Sequence, residues 1–162
     1  MTDFREGCRR SSPRASAPLA TRLAVPRGET ALWLAWLVAL GASLAVLFIG
    51  EVMGRAPCSL CWFQRAFMFP LAVLLGFGLW WRDLAIGRYG AILALAGAAV
   101  ALWHLALHAG LIPARIQPCA ATEPSCTGAD QSILGLPIPA LALLSFLLVA
   151  ALCAVARKAD PE

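Results

Sequence analysis

The sequence predicts an all-α integral membrane protein: a four-transmembrane-helix bundle with two extracytoplasmic loops, each carrying a cysteine pair. Three observations predict it. Of the 162 residues, 60% are hydrophobic and 14% charged, against about 45–50% apolar residues in soluble domains. The charges gather in the tails and short connectors. Between them lie four stretches of roughly twenty residues, each able to cross about 30 Å of hydrocarbon at about 1.5 Å per residue.

Residues 1–30 are rich in Arg, Ser, Pro and Ala, and read as a disordered basic cytoplasmic tail. Residues 31–156 form the membrane domain, and 157–162 a short cytoplasmic C-terminal tail. The first span, 31–50, contains no charge. It exceeds the apolar region of about 7–15 residues in a cleaved signal peptide, so it reads as a retained anchor. The second span, 62–81, has Arg65 near its start and Pro70 inside, where a kink is expected. The third, 89–110, repeats small residues at four-residue spacing (Gly90, Ala94, Ala98; Gly97, Ala101), which lets helices approach closely in lipid. The longest loop, 111–132, is followed by the fourth span, 133–156, with Pro137 and Pro139 in its first turns.

Orientation follows from the basic residues. With the N-terminus inside, Arg5, Arg9, Arg10, Arg14, Arg22, Arg27, Arg82, Arg88, Arg157 and Lys158 are cytoplasmic, and Arg55, Arg65 and Arg115 are outside or at the boundary. Ten against three satisfies the positive-inside rule, with both termini cytoplasmic. The net charge of +4 is topology-setting. No basic stripe with interleaved aromatics appears, so no nucleic-acid partner is expected. Both cysteine pairs, Cys58/Cys61 and Cys119/Cys126, then face the side on which disulfides persist.

Cys58-x-x-Cys61 sits where a connector enters a helix. Three-residue separation there brings two Cα atoms within disulfide reach, and a helix N-terminus favours the thiolate, with Cys61 the better placed. So small a ring adds little stability as a staple, so the spacing points to redox chemistry. Arg65, one turn beyond Cys61, can stabilise a thiolate or an anionic acceptor; the plainer alternative is an arginine snorkelling beside Trp62. Gln64 can supply hydrogen bonds nearby. Cys119 and Cys126 lie in a Pro-rich loop open to a protein partner, or form a loop staple. His104 and His108 share a face of the third helix, and can bind metal, move protons, or simply pack. Cys8 and Cys153 read as free thiols without a role.

The run Cys58-Ser-Leu-Cys61-Trp-Phe-Gln-Arg65-Ala-Phe-Met-Phe-Pro70 resembles the bacterial DsbB family, especially its BdbC-like branch. Pro118-Cys119 through Cys126-Thr-Gly128, then Gly135-Leu-Pro-Ile-Pro139, resembles that branch's second pair and the start of its last helix. The similarity covers about residues 31–156; the long basic tail departs from the family, and Trp103-His104 matches the branch's aromatic-His element only loosely. The resemblance implies a multi-pass protein of the bacterial inner membrane that reoxidises a DsbA-like thioredoxin-fold partner and reduces a membrane quinone, ubiquinone or menaquinone. It further implies that Cys119 meets the partner, that Cys126 exchanges with Cys58, and that Cys61 faces the quinone beside Arg65, with Gln64 and His104 near it. No resident metal is expected. The rival readings are a reductase of the vitamin K epoxide reductase type, whose C-x-x-C lies near the last helix, and a non-enzymatic membrane protein in which the four outer cysteines form structural disulfides or hold zinc.

Overall fold

The structure is a computed structural model, and describes residues 27–112, 132–133 and 135–159. Four long helices dominate: α1 (Arg27–Leu47), α2 (Ser59–Trp81), α3 (Ile86–His108) and α4 (Ile138–Lys158). All four are long and apolar enough to cross a membrane, the first by running on through a π-helical turn, Phe48–Val52. They pack as a ring in chain order, α4 closing back onto α1, while α2 and α4 scarcely meet across the diagonal.

The outer surface is the reverse of a soluble domain's. Trp33, Leu44, Phe77, Trp80, Leu95 and Leu144 are exposed, as lipid-facing side chains should be. Inside, helices gain little from a hydrophobic force that lipid already satisfies, so close packing must hold them. The small residues of α3 supply it. Gly90, Ala94, Gly97, Ala98 and Ala101 are all buried. A Cβ on Gly97 would fall onto the Phe146 ring of α4, and one on Gly90 would meet Leu75 of α2 at 2.9 Å and Cys153 Sγ of α4 at 3.2 Å. Cys153 is thus a core side chain.

The helix ends follow from local chemistry. α2 passes through the exposed Pro70 without interruption. It stops at Arg82, which takes the left-handed conformation (φ 56°). Asp83 N–H donates to the Gly78 carbonyl at 2.9 Å and Arg82 N–H to that of Leu79 at 3.3 Å, the double closure that satisfies a helix's last carbonyls. The Asp83 carboxylate then accepts from Ala85 N–H at 2.9 Å and turns the chain into α3. At the same end Arg82 pairs with Glu29 of α1 at 3.2 Å, and Gly28 lies against the Ala156 carbonyl of α4.

Most helix ends differ by a few residues from the sequence reading: α2 starts at Ser59 rather than 62, α3 ends at His108 rather than 110, and α4 runs on to Lys158 rather than 156. α1 starts at Arg27, inside the stretch assigned to the tail; residues 1–26 lie outside the described residues. α3 starts at Ile86. α4 starts at Ile138 rather than 133, because Ser132–Ile133 pairs antiparallel with Leu136–Pro137 in a minimal hairpin. Gly135, at φ 81°, supplies the turn. Pro137 is extended and Pro139 sits in the first turn, and the residue before a proline is disfavoured in a helix.

Candidate functional site

The buried polar side chains among the described residues are Ser43, Gln64, Arg65 and His104. Ser43 bonds its own helix, donating to the Ala39 carbonyl at 2.7 Å. The other three gather at one end of the bundle, around the cysteine pair. Such polar groups at membrane depth are costly and mark function by default.

Cys58 is the residue immediately before α2, in extended conformation, and Cys61 lies in the first turn. Their sulfurs are 2.9 Å apart. Cys58 is fully buried with Leu60 of α2 and Leu107 of α3, and Cys61 and Ile112 close the cluster as half-buried neighbours. Across the bundle, His104 is completely buried and brings Nε2 to 3.9 Å from Cys58 Sγ. Its other ring nitrogen, Nδ1, accepts a hydrogen bond from the Gln64 amide nitrogen at 3.0 Å. A ring that accepts at Nδ1 carries its proton on Nε2 when neutral, so His104 offers an N–H to the Cys58 sulfur. The neighbouring Cys61 thiol, and then His104, hold the Cys58 thiol well below its ordinary value of 9.0, against the opposing effect of burial.

Arg65 faces the other way, toward α1. Its guanidinium donates to the Val46 carbonyl at 2.8 Å and stands over the Trp62 ring at 5.3 Å. The π-helical turn begins two residues after Val46; such turns shift the backbone ladder and recur at functional sites. Gly50, within it, leaves room beside the arginine: a Cβ there would lie 3.0 Å from the guanidinium. Gln64, Arg65 and His104, grouped together in the sequence reading, therefore divide between the two sulfurs: Gln64 and His104 serve Cys58, and Arg65 stands on the α1 side of the pair. The imidazole contact falls on Cys58 and not on Cys61, which the sequence reading favours; His104 lies 46 residues away in sequence, so local pattern could not show which sulfur it meets. Val46 and Gly50 were also missed. Their only signal was a glycine at the end of the first apolar run.

His108, one turn beyond His104, stays outside this cluster; its Nδ1 is buried and has no hydrogen-bond partner among the described residues. Cys8, Cys119 and Cys126 lie outside the described residues. The loop containing Cys119 and Cys126 is nonetheless tied to the site at its end: Arg55, three residues before Cys58, donates to the Ser132 carbonyl at 3.3 Å. The three ligand-capable atoms of Cys58, Cys61 and His104 lie within 4.8 Å of one another.

Comparison with known proteins gives the family. Residues 28–156 match the family described as disulfide bond formation protein DsbB. A probable disulfide formation protein of Metapseudomonas resinovorans is 54% identical over 136 residues, covering 82% of this chain and 94% of the relative. One from Deinococcus radiodurans is 36% identical, covering 80% and 90%. Disulfide bond formation protein C of Bacillus subtilis is 34% identical, covering 73% and 86%. No solved structure matches. A four-helix membrane protein with a close cysteine pair at one end, matched along nearly its whole membrane domain, belongs to the DsbB family, on its BdbC-like branch, and is a disulfide-forming oxidoreductase.

Proposed function

We propose that the protein reoxidises a DsbA-like thiol oxidase outside the bacterial cytoplasmic membrane and passes the electrons to a membrane quinone, with both termini cytoplasmic. The observation that supports it most is the tie between the two cysteine-bearing connectors: Arg55, three residues before Cys58, donates to the Ser132 carbonyl. A thiolate of the reduced partner attacks Cys119 in a Cys119–Cys126 disulfide. The resulting mixed disulfide is resolved by the partner's second thiolate, which leaves the partner oxidised and the loop pair as a dithiol. Cys126 then attacks Cys58 of a Cys58–Cys61 disulfide, and Cys61 leaves as a thiolate. Cys119 resolves the Cys126–Cys58 bond, re-forming the loop disulfide and leaving Cys58 and Cys61 reduced.

A quinone fits the site by its chemistry. Cys61 is the more exposed sulfur, the Trp62 and Phe63 rings are exposed toward lipid beside it, and Arg65 supplies a buried cation with N–H donors. A quinone held there would supply the acceptor for the two electrons and two protons that the Cys58/Cys61 dithiol gives up as its disulfide re-forms. Arg65 orients and compensates negative charge there, while His104, set by Gln64, stabilises the Cys58 thiolate. Every ~30 mV of mismatch moves a two-electron exchange about tenfold, so a strongly oxidising partner demands a still more oxidising pair.

The test is quinone reduction by the purified protein with a reduced DsbA-like partner. Wild type should turn over, Cys61→Ser and Cys119→Ser should stop, and Arg65→Ala should slow quinone reduction while partner oxidation by the preformed disulfides persists. Absence of quinone reduction by wild type would leave the outer cysteines as structural staples or zinc ligands.

A further inference from the structure

We propose that the reduced form of the Cys58/Cys61 pair, together with His104, is a binding site for a thiophilic d10 cation of the zinc type, open only while the pair is a dithiol. Two sulfurs and one imidazole nitrogen lie within 4.8 Å of one another, on three side chains of which Cys58 and His104 are buried and Cys61 half-buried. Two thiolates and an imidazole are the donor set that borderline-soft cations select, with three protein ligands and a fourth position left open.

The surroundings suit a cation. Gln64, itself buried, contacts the ring nitrogen of His104 that faces away from the sulfurs. Histidines that ligate metals are held through their second nitrogen, which donates to a fixed acceptor; without a cation the bond here runs the other way, from the Gln64 amide nitrogen to Nδ1. Ligation through Nε2 places the proton on Nδ1, and a half-turn of the isosteric Gln64 amide presents its oxygen there to receive it. The balance is simple: two thiols and one divalent cation give a neutral bis-thiolate complex and release two protons, with nothing oxidised or reduced. Neutrality matters, because the site is walled by Leu60, Leu107 and Ile112 and stands next to Arg65, where a net positive complex would be repelled. A disulfide offers no thiolate, so oxidation closes the site, and the bound cation in turn withholds both sulfurs from oxidation. The site rests on the reading of Cys58 and Cys61 as a pair that cycles through the dithiol.

The experiment measures binding alone, without partner or quinone, so its failure leaves that reading intact. The full-length protein in detergent is reduced, freed of reductant without oxygen, and titrated with Zn2+ against a chromophoric chelator; Cd2+ reports the thiolates by their ultraviolet charge-transfer absorption. About one equivalent should bind to the reduced protein, and none after oxidation. Cys61→Ser should abolish binding, and His104→Ala and Gln64→Leu should each weaken it about tenfold or more. His104→Asn replaces His104→Ala if the latter does not fold. The double variant Cys119→Ser/Cys126→Ser should bind like wild type. Failure of the reduced protein to bind, binding that survives loss of the imidazole unchanged, or binding lost with Cys119 and Cys126 would overturn the proposal.

Discussion

The contact between His104 and Cys58 gives one sulfur of the pair a different character from the other. A thiol whose ionised form is stabilised leaves more readily and makes its disulfide more oxidising, because the reduced state is the stabilised one. Cys58 is held below its ordinary 9.0 first by Cys61 and next by His104. The sign follows: in the reduced protein, ionised Cys58 contributes stability fully above 9.0 and loses it as pH falls through the lowered value. Replacing His104 by Ala removes a charge-assisted contact of about 1.5 kcal/mol. The titration of Cys58, followed by thiolate absorbance in metal-free buffer, should move to higher pH. The Cys58/Cys61 pair should become about tenfold less oxidising, ~30 mV, in equilibrium with a glutathione buffer. An unchanged potential would mean that His104 only packs there. Cys58, Cys61 and Arg65 were legible as a group because they share one short helical segment. The imidazole was legible only as a residue type on another helix, since no local spacing records which sulfur a side chain will meet across a bundle.

At the scale of elements, α3 and α4 are joined by matched volume. Gly97 and Phe146 occupy one space between them, and the ring is fully buried. Gly97→Ala should destabilise the bundle by about 1–3 kcal/mol, the usual cost of overpacking, measured by thermal unfolding in detergent. Phe146→Leu should restore part of that loss in the double variant, whereas additive losses would show that the two do not share the space. The small-residue spacing announced a close approach, and its partner helix had to come from the structure. The start of α4 was misplaced for a related reason. Apolar content continues from 133 through 156, so hydropathy sees one segment, whereas Gly135 and the two prolines dictate a hairpin before the helix begins.

For the whole molecule, the four spans were legible because each must satisfy its backbone within itself across the membrane. Their order around the ring was not, since four apolar helices can be arranged around a core in more than one way. The structure places Arg27, Arg82, Arg88 and Lys158 at helix ends opposite the cysteine cluster, which is the separation that the positive-inside rule reads. Alkaline phosphatase fused after residue 159 should therefore be inactive, and fused within 113–131 active. A membrane-impermeant maleimide should reach reduced Cys119 and Cys126 in intact spheroplasts. The reverse pattern would invert the proposed orientation and put the cysteine pairs in a reducing compartment.

The division of labour among the helices also bears on how the protein is made. Cys58, Cys61, Gln64, Arg65 and His104 all belong to α2, α3 and the residue preceding α2, and the Arg65 anchor belongs to α1. None lies on α4, which only closes the ring. During synthesis, these side chains can therefore come together once the third span has entered the bilayer, while residues 111–132 and α4 are still emerging from the ribosome. Until α4 arrives, the space beside Gly97 lacks the Phe146 ring that fills it, so closing that side of α3 waits for the last helix.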